Sequence, residues 1–169
     1  MLKKTSLGWG WKLPSSVFFL PFLHQIWPNL RCIHIVRDGR DMALSSNQKQ
    51  LNYLGPIALS SDELILPSEQ RSILLWERLN LSLADYAAKN LPNQYLCLNY
   101  EDLCNSPHTS INRLFSFLDI KEDSTAYAAQ IKPSSGVGRW KQQPENIKNT
   151  LASLGEKALN YFGYTLPKQ

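Results

Sequence analysis

The sequence predicts an α/β layer fold with parallel strands, and two observations carry that prediction. Short apolar, β-branched runs alternate along the chain with stretches of helical period, and the runs read as strands buried on both faces. The chain has 169 residues, 43% of them hydrophobic and 19% charged. That suits one soluble domain with a real core and excludes a disordered tail.

The elements follow in chain order. A weak strand end is expected at Trp9-Gly10-Trp11-Lys12. A helix is expected from about Ser15 to Trp27; its apolar part, Val17 to Leu23, contains Pro21 and reads as a packed helix. Arg31 to Arg37 is a β-branched run bounded by Pro28-Asn29 and Asp38-Gly39, hence a buried strand. Asp38 can cap a helix running from Gly39 into the 40s, with Asp41 three residues on completing a pair like a capping box. On that helix Ser45 falls two turns in, on the face of the helix start. Gly, Pro and Ser punctuate 52–67, which reads as a mobile surface loop.

From Glu69 to Asn90, Ile73, Trp76, Leu79, Leu83 and Tyr86 share one helical face. The Pro92-Asn93 turn starts a second strand, Gln94 to Tyr100. Pro107 opens a helix through Ile111, Leu114, Phe115 and Leu118, and a last amphipathic helix spans Asn146 to Tyr161. Three strands make a small sheet, and the chain reads as cut short at its start.

Charge and cysteine content narrow the function. A net charge of +4 suits a polyanionic ligand such as a nucleotide phosphate, and is too mild and scattered to argue for nucleic-acid binding. Cys32, Cys97 and Cys104 lack metal-ligand or C-x-x-C spacing and read as buried reduced thiols, which favours a reducing, cytoplasmic setting. No run is long enough for a membrane span, and no cleavable leader pattern follows the basic start.

The segment from Ile35 to Ser45 carries the chemistry. An apolar strand delivers Arg37 to the carboxyl edge of the sheet, where open α/β folds bind ligands. A guanidinium facing a helix N-terminus, with the Ser45 hydroxyl nearby, makes a phosphate clamp. Arg37 could equally pair with Asp38 or Asp41 and pin a strand–helix corner. The residues alone leave both readings open.

Ile33 to Ser45 resembles the 3′-phosphate-binding segment of the sulfotransferases, which use 3′-phosphoadenosine-5′-phosphosulfate as donor. In that family the arginine after the strand and a serine eight residues later hold the 3′-phosphate, which implies Arg37 and Ser45 here. Leu96 to Leu103, followed by Pro107 and a helix rich in Leu and Phe, is similar to the family's strand–Tyr-Glu-Asp–helix unit. The resemblance puts Tyr100 near the adenine, against the alternative of an aromatic wedged between strand and helix. Glu101 and Asp102 read as helix-entry or packing residues.

Ser134 to Lys141 resembles the family's late glycine-containing loop. Glycines let backbone N–H groups approach an anion. Ser135, Gly138 and Arg139 are the candidate contacts, while Trp140 packs the loop down. Pro133 and Ser134 stand where several branches have a basic pair. Trp9 to Pro14 looks like the segment whose lysine enters the active-site cleft, which implies Lys12 near the transferred sulfuryl group.

The resemblance implies a partial P-loop-nucleotide-kinase-like fold, a small parallel sheet flanked by helices, over one domain spanning 1–169 that is truncated at its N-terminus. The implied reaction is sulfuryl transfer from 3′-phosphoadenosine-5′-phosphosulfate to an acceptor hydroxyl or amine, without a metal. No G-x-x-x-x-G-K-[ST] pattern or Gly-rich turn after an apolar strand is present, so the phosphosulfate loop is missing. His24, His34 and His108 lack a supporting motif, and no general base is assigned. A second chain could supply the loop; alternatively, the chain is a non-catalytic nucleotide- or partner-binding module. A nucleotide kinase is disfavoured, for want of Lys-Ser/Thr after glycines and of metal-holding carboxylates. The acceptor class, whether small molecule, carbohydrate or peptide, is left open.

Overall fold

The strands at the centre of the fold are Cys32–Val36 (β1) and Tyr95–Asn99 (β2). They pair in parallel, from Cys32 opposite Tyr95 to Val36 opposite Asn99. The computed structural model describes residues 8–165. In chain order the helices are α1 (Ser16–Ile26), α2 (Gly39–Ala43), α3 (Lys49–Ala58), α4 (Ser61–Leu64), α5 (Ser68–Asn90), α6 (Tyr100–Asn105), α7 (Pro107–Leu118), α8 (Thr125–Ala128), α9 (Glu145–Leu154) and α10 (Glu156–Tyr161). A single 3₁₀ turn, Arg139–Gln142, precedes α9. This is the mixed α/β arrangement the alternating pattern implies.

Two-residue periodicity orients β1. His34 and Val36 are buried, whereas Ile33 and Ile35 are exposed on the other face, so β1 is covered on one face and not on both as its apolar run suggests. The crossover to β2 runs through α5, which packs Ile73, Trp76 and Ala84 with Val36, Ala43, Leu151, Leu159 and Phe162 in the main core. The predicted stripe of α5 is shared among three clusters. Leu79 packs against Leu51, Leu54, Leu59 and Leu75, and Leu83 and Tyr86 pack against Leu20, Ala87 and Leu91. Each such buried aliphatic side chain contributes about 1.5–3 kcal/mol.

Several expectations from the sequence require correction. Residues 8–13 form no strand, so the sheet has two strands among the described residues. The aromatic rings there associate instead: Trp9 stacks on Trp11, and both meet Trp27 within 6 Å. The 52–67 loop is mostly helical. Leu51, Leu54 and Leu59 gain burial against Leu75 of α5, which outweighs Gly55 and Pro56 as breakers. Ser60 and Glu63 close a reciprocal capping box on α4.

The helix after Gly39 stops at Ala43, so Ser45 lies beyond it rather than two turns inside. Gln48 ends it: its side-chain amide donates to the carbonyls of Met42, Ala43 and Ser45. The tail expected as one helix is two, broken at Gly155, where a Cβ would lie 2.8 Å from Ile73. Among the described residues no helix is long and apolar enough to cross a membrane.

Candidate functional site

Both strands end at one corner, and the chain supplies charge there in excess of local need. Asp38 caps α2, accepting from the Arg40 amide at 2.9 Å as the sequence suggests. The same carboxylate also holds the Arg40 guanidinium, through Nε at 3.0 Å and Nη2 at 2.7 Å. Arg40 Nη1 donates to the Thr165 carbonyl, and its guanidinium lies 3.5 Å from the centre of the Trp140 ring. With 2% of its side chain exposed, Arg40 is a fully engaged buried ion-pair partner.

Arg37 differs. Its guanidinium lies 5.2 Å from the Tyr100 ring centre, a cation–π arrangement, and Nη2 is 4.0 Å from Asp41 Oδ2. Nε and Nη2 are buried and have no hydrogen-bond partner among the described residues. Buried donors without acceptors cost about 1–3 kcal/mol each and are rare in native structures unless an ion or ligand answers them. The donor set fits an anion such as a phosphate.

Asp41 does not complete a capping pair with Asp38. It reaches the late loop instead, accepting from Gly138 N at 2.6 Å and Trp140 N at 3.1 Å. Gly138 adopts φ +77°, a left-handed conformation that glycine tolerates best. Tyr100 opens α6, and its hydroxyl accepts from Ser134 N at 3.1 Å. Asp41 and Tyr100 thus fasten the 134–140 loop to the corner that carries Arg37.

Arg139 donates from Nε to Gly136 O and from Nη1 to Leu44 O. It therefore borders Ser45, whose Oγ accepts from Asn47 N at 3.2 Å. Ser45 lines an open cavity of about 420 Å³ with Leu44, Gln48, Ser68 and Glu69. Arg37 does not line that cavity. The structure therefore groups Arg37, Tyr100 and Gly138 around Asp41, and sets Ser45 and Arg139 together beside Leu44. Ser135 is exposed on the loop. Lys12 is exposed in the irregular 8–13 segment, and no described hydrogen bond or ion pair links it to Arg37.

Sequence reasoning missed three functional-corner residues. Arg40 was visible only as a charge beside Arg37, Asp41 was read as a capping partner of Asp38 or an ion-pair partner of Arg37 and not as the anchor of the late loop, and Tyr164 carried no signal. Tyr164 donates to Glu101, and burial, then that carboxylate, pushes its hydroxyl far above the usual tyrosine range. Glu101 also accepts from Asp38 N, in keeping with a packing role.

The fold and corner define an α/β protein that offers buried cationic donors at the carboxyl ends of parallel strands. The chain belongs to the sulfotransferase family, whose profile matches residues 3–124. It is 26% identical over 110 residues to a putative protein-tyrosine sulfotransferase of Caenorhabditis briggsae, covering 65% of this chain and 36% of that relative. A Caenorhabditis elegans protein of the same description is 27% identical over 109 residues, covering 64% and 39% respectively. The sulfotransferase domain from the curacin biosynthetic pathway superposes with a TM-score of 0.63 at 16% identity, covering 91% of this chain and 60% of that domain. This likeness establishes a shared fold. The chain spans well under half the length of these curated relatives.

Proposed function

We propose that this chain holds the 3′-phosphate end of 3′-phosphoadenosine-5′-phosphosulfate within a sulfotransferase that acts on an acceptor hydroxyl or amine. One observation carries the reading: Arg37 holds two buried guanidinium N–H groups that no acceptor among the described residues satisfies. The Tyr100 ring holds that guanidinium in place, and Asp41, 4.0 Å away, is already occupied by two loop amides. Tyr100 is assigned to the adenosine side and Arg37 to the phosphate. Ser45 is assigned to the same phosphate through the resemblance alone, since it lies beside Arg139 on a cavity that Arg37 does not line. Ser135, Gly138 and Arg139 are assigned to the loop that closes over the nucleotide. Lys12 is assigned to the sulfuryl end through its place in the Trp-Lys segment.

When bound, the donor supplies the activated sulfuryl group. The chain's own residues bind and orient its nucleotide end, which contributes to catalysis by positioning. The sulfuryl end calls for a phosphosulfate-binding loop, which a longer chain or a second chain would supply. A peptide acceptor is favoured, because the curated relatives are described as protein-tyrosine sulfotransferases. Cys32, Cys97 and Cys104 are free thiols, half-buried rather than fully buried as the sequence suggests, and their unpaired state supports a reducing, cytoplasmic setting.

A second reading is a nucleotide-binding module without turnover, which would use the same clamp. His24 bonds Tyr86, His34 is buried between Tyr95 and Asn80, and His108 is exposed on α7. None is placed as a general base. Calorimetric titration with 3′-phosphoadenosine 5′-phosphate tests the clamp common to both readings. Arg37→Ala is expected to cost one to two decades of affinity, about 1.5–3 kcal/mol for a charge-assisted bond. Equal affinity in the variant would overturn it.

A further inference from the structure

The peptide groups on either side of Arg37 are both fastened to one pair of side chains outside the proposed contacts. Glu101 Oε1 accepts from the Asp38 amide at 3.0 Å. Glu101 Oε2 accepts from the Tyr164 hydroxyl at 2.9 Å, and that hydroxyl lies 3.3 Å from the Val36 carbonyl. The single hydroxyl proton serves these two acceptors, the carboxylate at the shorter distance. The backbone entering and leaving Arg37 is thus tied to Tyr164 and Glu101. Glu101 also adjoins Tyr100, the ring beneath the Arg37 guanidinium.

Three further contacts seat the 162–165 segment that carries Tyr164. Asn99 Nδ2 donates to Phe162 O at 2.9 Å, and Arg40 Nη1 donates to Thr165 O at 2.9 Å. The Tyr164 ring meets the edge of Trp76 in the main core. Both strand exits and the start of α2 are therefore bound to one C-terminal strap.

We propose that the Tyr164–Glu101 pair is a positioning device that sets the Arg37 guanidinium for its phosphate. The inference rests on the reading of Arg37 as the phosphate clamp. Tyr164→Phe removes the hydroxyl and keeps the ring against Trp76. It is expected to weaken 3′-phosphoadenosine 5′-phosphate binding about threefold to tenfold, the scale of one lost hydrogen bond. In an Arg37→Ala background the same change is expected to cost nothing further, as for residues acting through one group. Glu101→Gln, which keeps an acceptor for Asp38 N, is expected to retain affinity that Glu101→Ala loses.

A ligand-free readout separates the two claims. In ¹⁵N spectra the Arg37 Nε–H signal is expected to shift and exchange faster in Tyr164→Phe, while that of Arg31, paired with Asp119, stays put. Equal losses in both backgrounds, or an unchanged Arg37 signal, would overturn the positioning role. If the unmodified chain binds no nucleotide, the proposed function falls and the phosphate part of the inference with it, while the Arg37 signal still decides whether Tyr164 and Glu101 hold the guanidinium in place.

Discussion

Arg37 and Arg40 leave the same strand exit and meet opposite fates. Arg40 satisfies Asp38, a carbonyl and an aromatic face, whereas Arg37 keeps two buried donors without acceptors among the described residues. The sequence shows two arginines among two aspartates and cannot say which is spent. That is decided when Asp38 turns back to cap α2 and takes Arg40 with it. Arg40→Ala strands a buried carboxylate and is expected to lower stability by about 3–5 kcal/mol in urea titrations. Arg37→Ala, without ligand, is expected to leave stability unchanged or raise it, since two orphan donors disappear. His34 adds a pH dependence. Asn80 gives its amide N–H to Trp76 O, so its oxygen accepts from His34 Nε2, and Nδ1 accepts from the Tyr95 hydroxyl. Burial lowers the His34 pKa below 6.5, its ordinary value. Below that pH the unfolded chain takes up a proton that the folded one refuses. Stability is therefore present above about pH 6.5 and declines as pH falls toward the folded pKa. A His34→Gln variant is expected to flatten that slope in denaturation curves recorded between pH 7 and 5.

At the level of elements, β1, β2 and α5 were legible because period and boundary signals agreed, with Pro92-Asn93 before β2 and a continuous stripe along α5. Residues 52–67 were misread because Gly55 and Pro56 weigh locally, while the leucines that hold α3 find Leu75 only in the fold. Ser45 was misplaced for a similar reason: α2 ends early because Gln48 takes its carbonyls. The short α2 depends on close approach to α5. A Cβ at Gly39 would lie 2.3 Å from the Trp76 ring, which is buried and cannot move aside. Gly39→Ala is expected to cost about 1–3 kcal/mol of thermal or urea stability, the scale of core overpacking. The same change is expected to weaken nucleotide binding, since α2 carries Asp41 and hence the Gly138 loop.

Across the whole molecule, the candidate site is assembled from residues far apart in sequence. Asp41 reaches Gly138 across 97 positions, and Tyr164 reaches Val36 across 128. The resemblance to sulfotransferases located Arg37, Tyr100 and the late loop in the chain, and the fold brings them to one corner. It could not reveal the strap formed by 162–165, because the bonds of Tyr164 exist only once the strands and α5 have packed. The central claim is that this corner recognises a 3′-phosphate specifically. The most direct test compares the affinity of 3′-phosphoadenosine 5′-phosphate with that of adenosine 5′-phosphate, in the unmodified chain and in Arg37→Ala. The expected result is a preference of about one to two decades for the 3′-phosphorylated nucleotide, abolished by the substitution. Equal affinities in the unmodified chain would contradict the account.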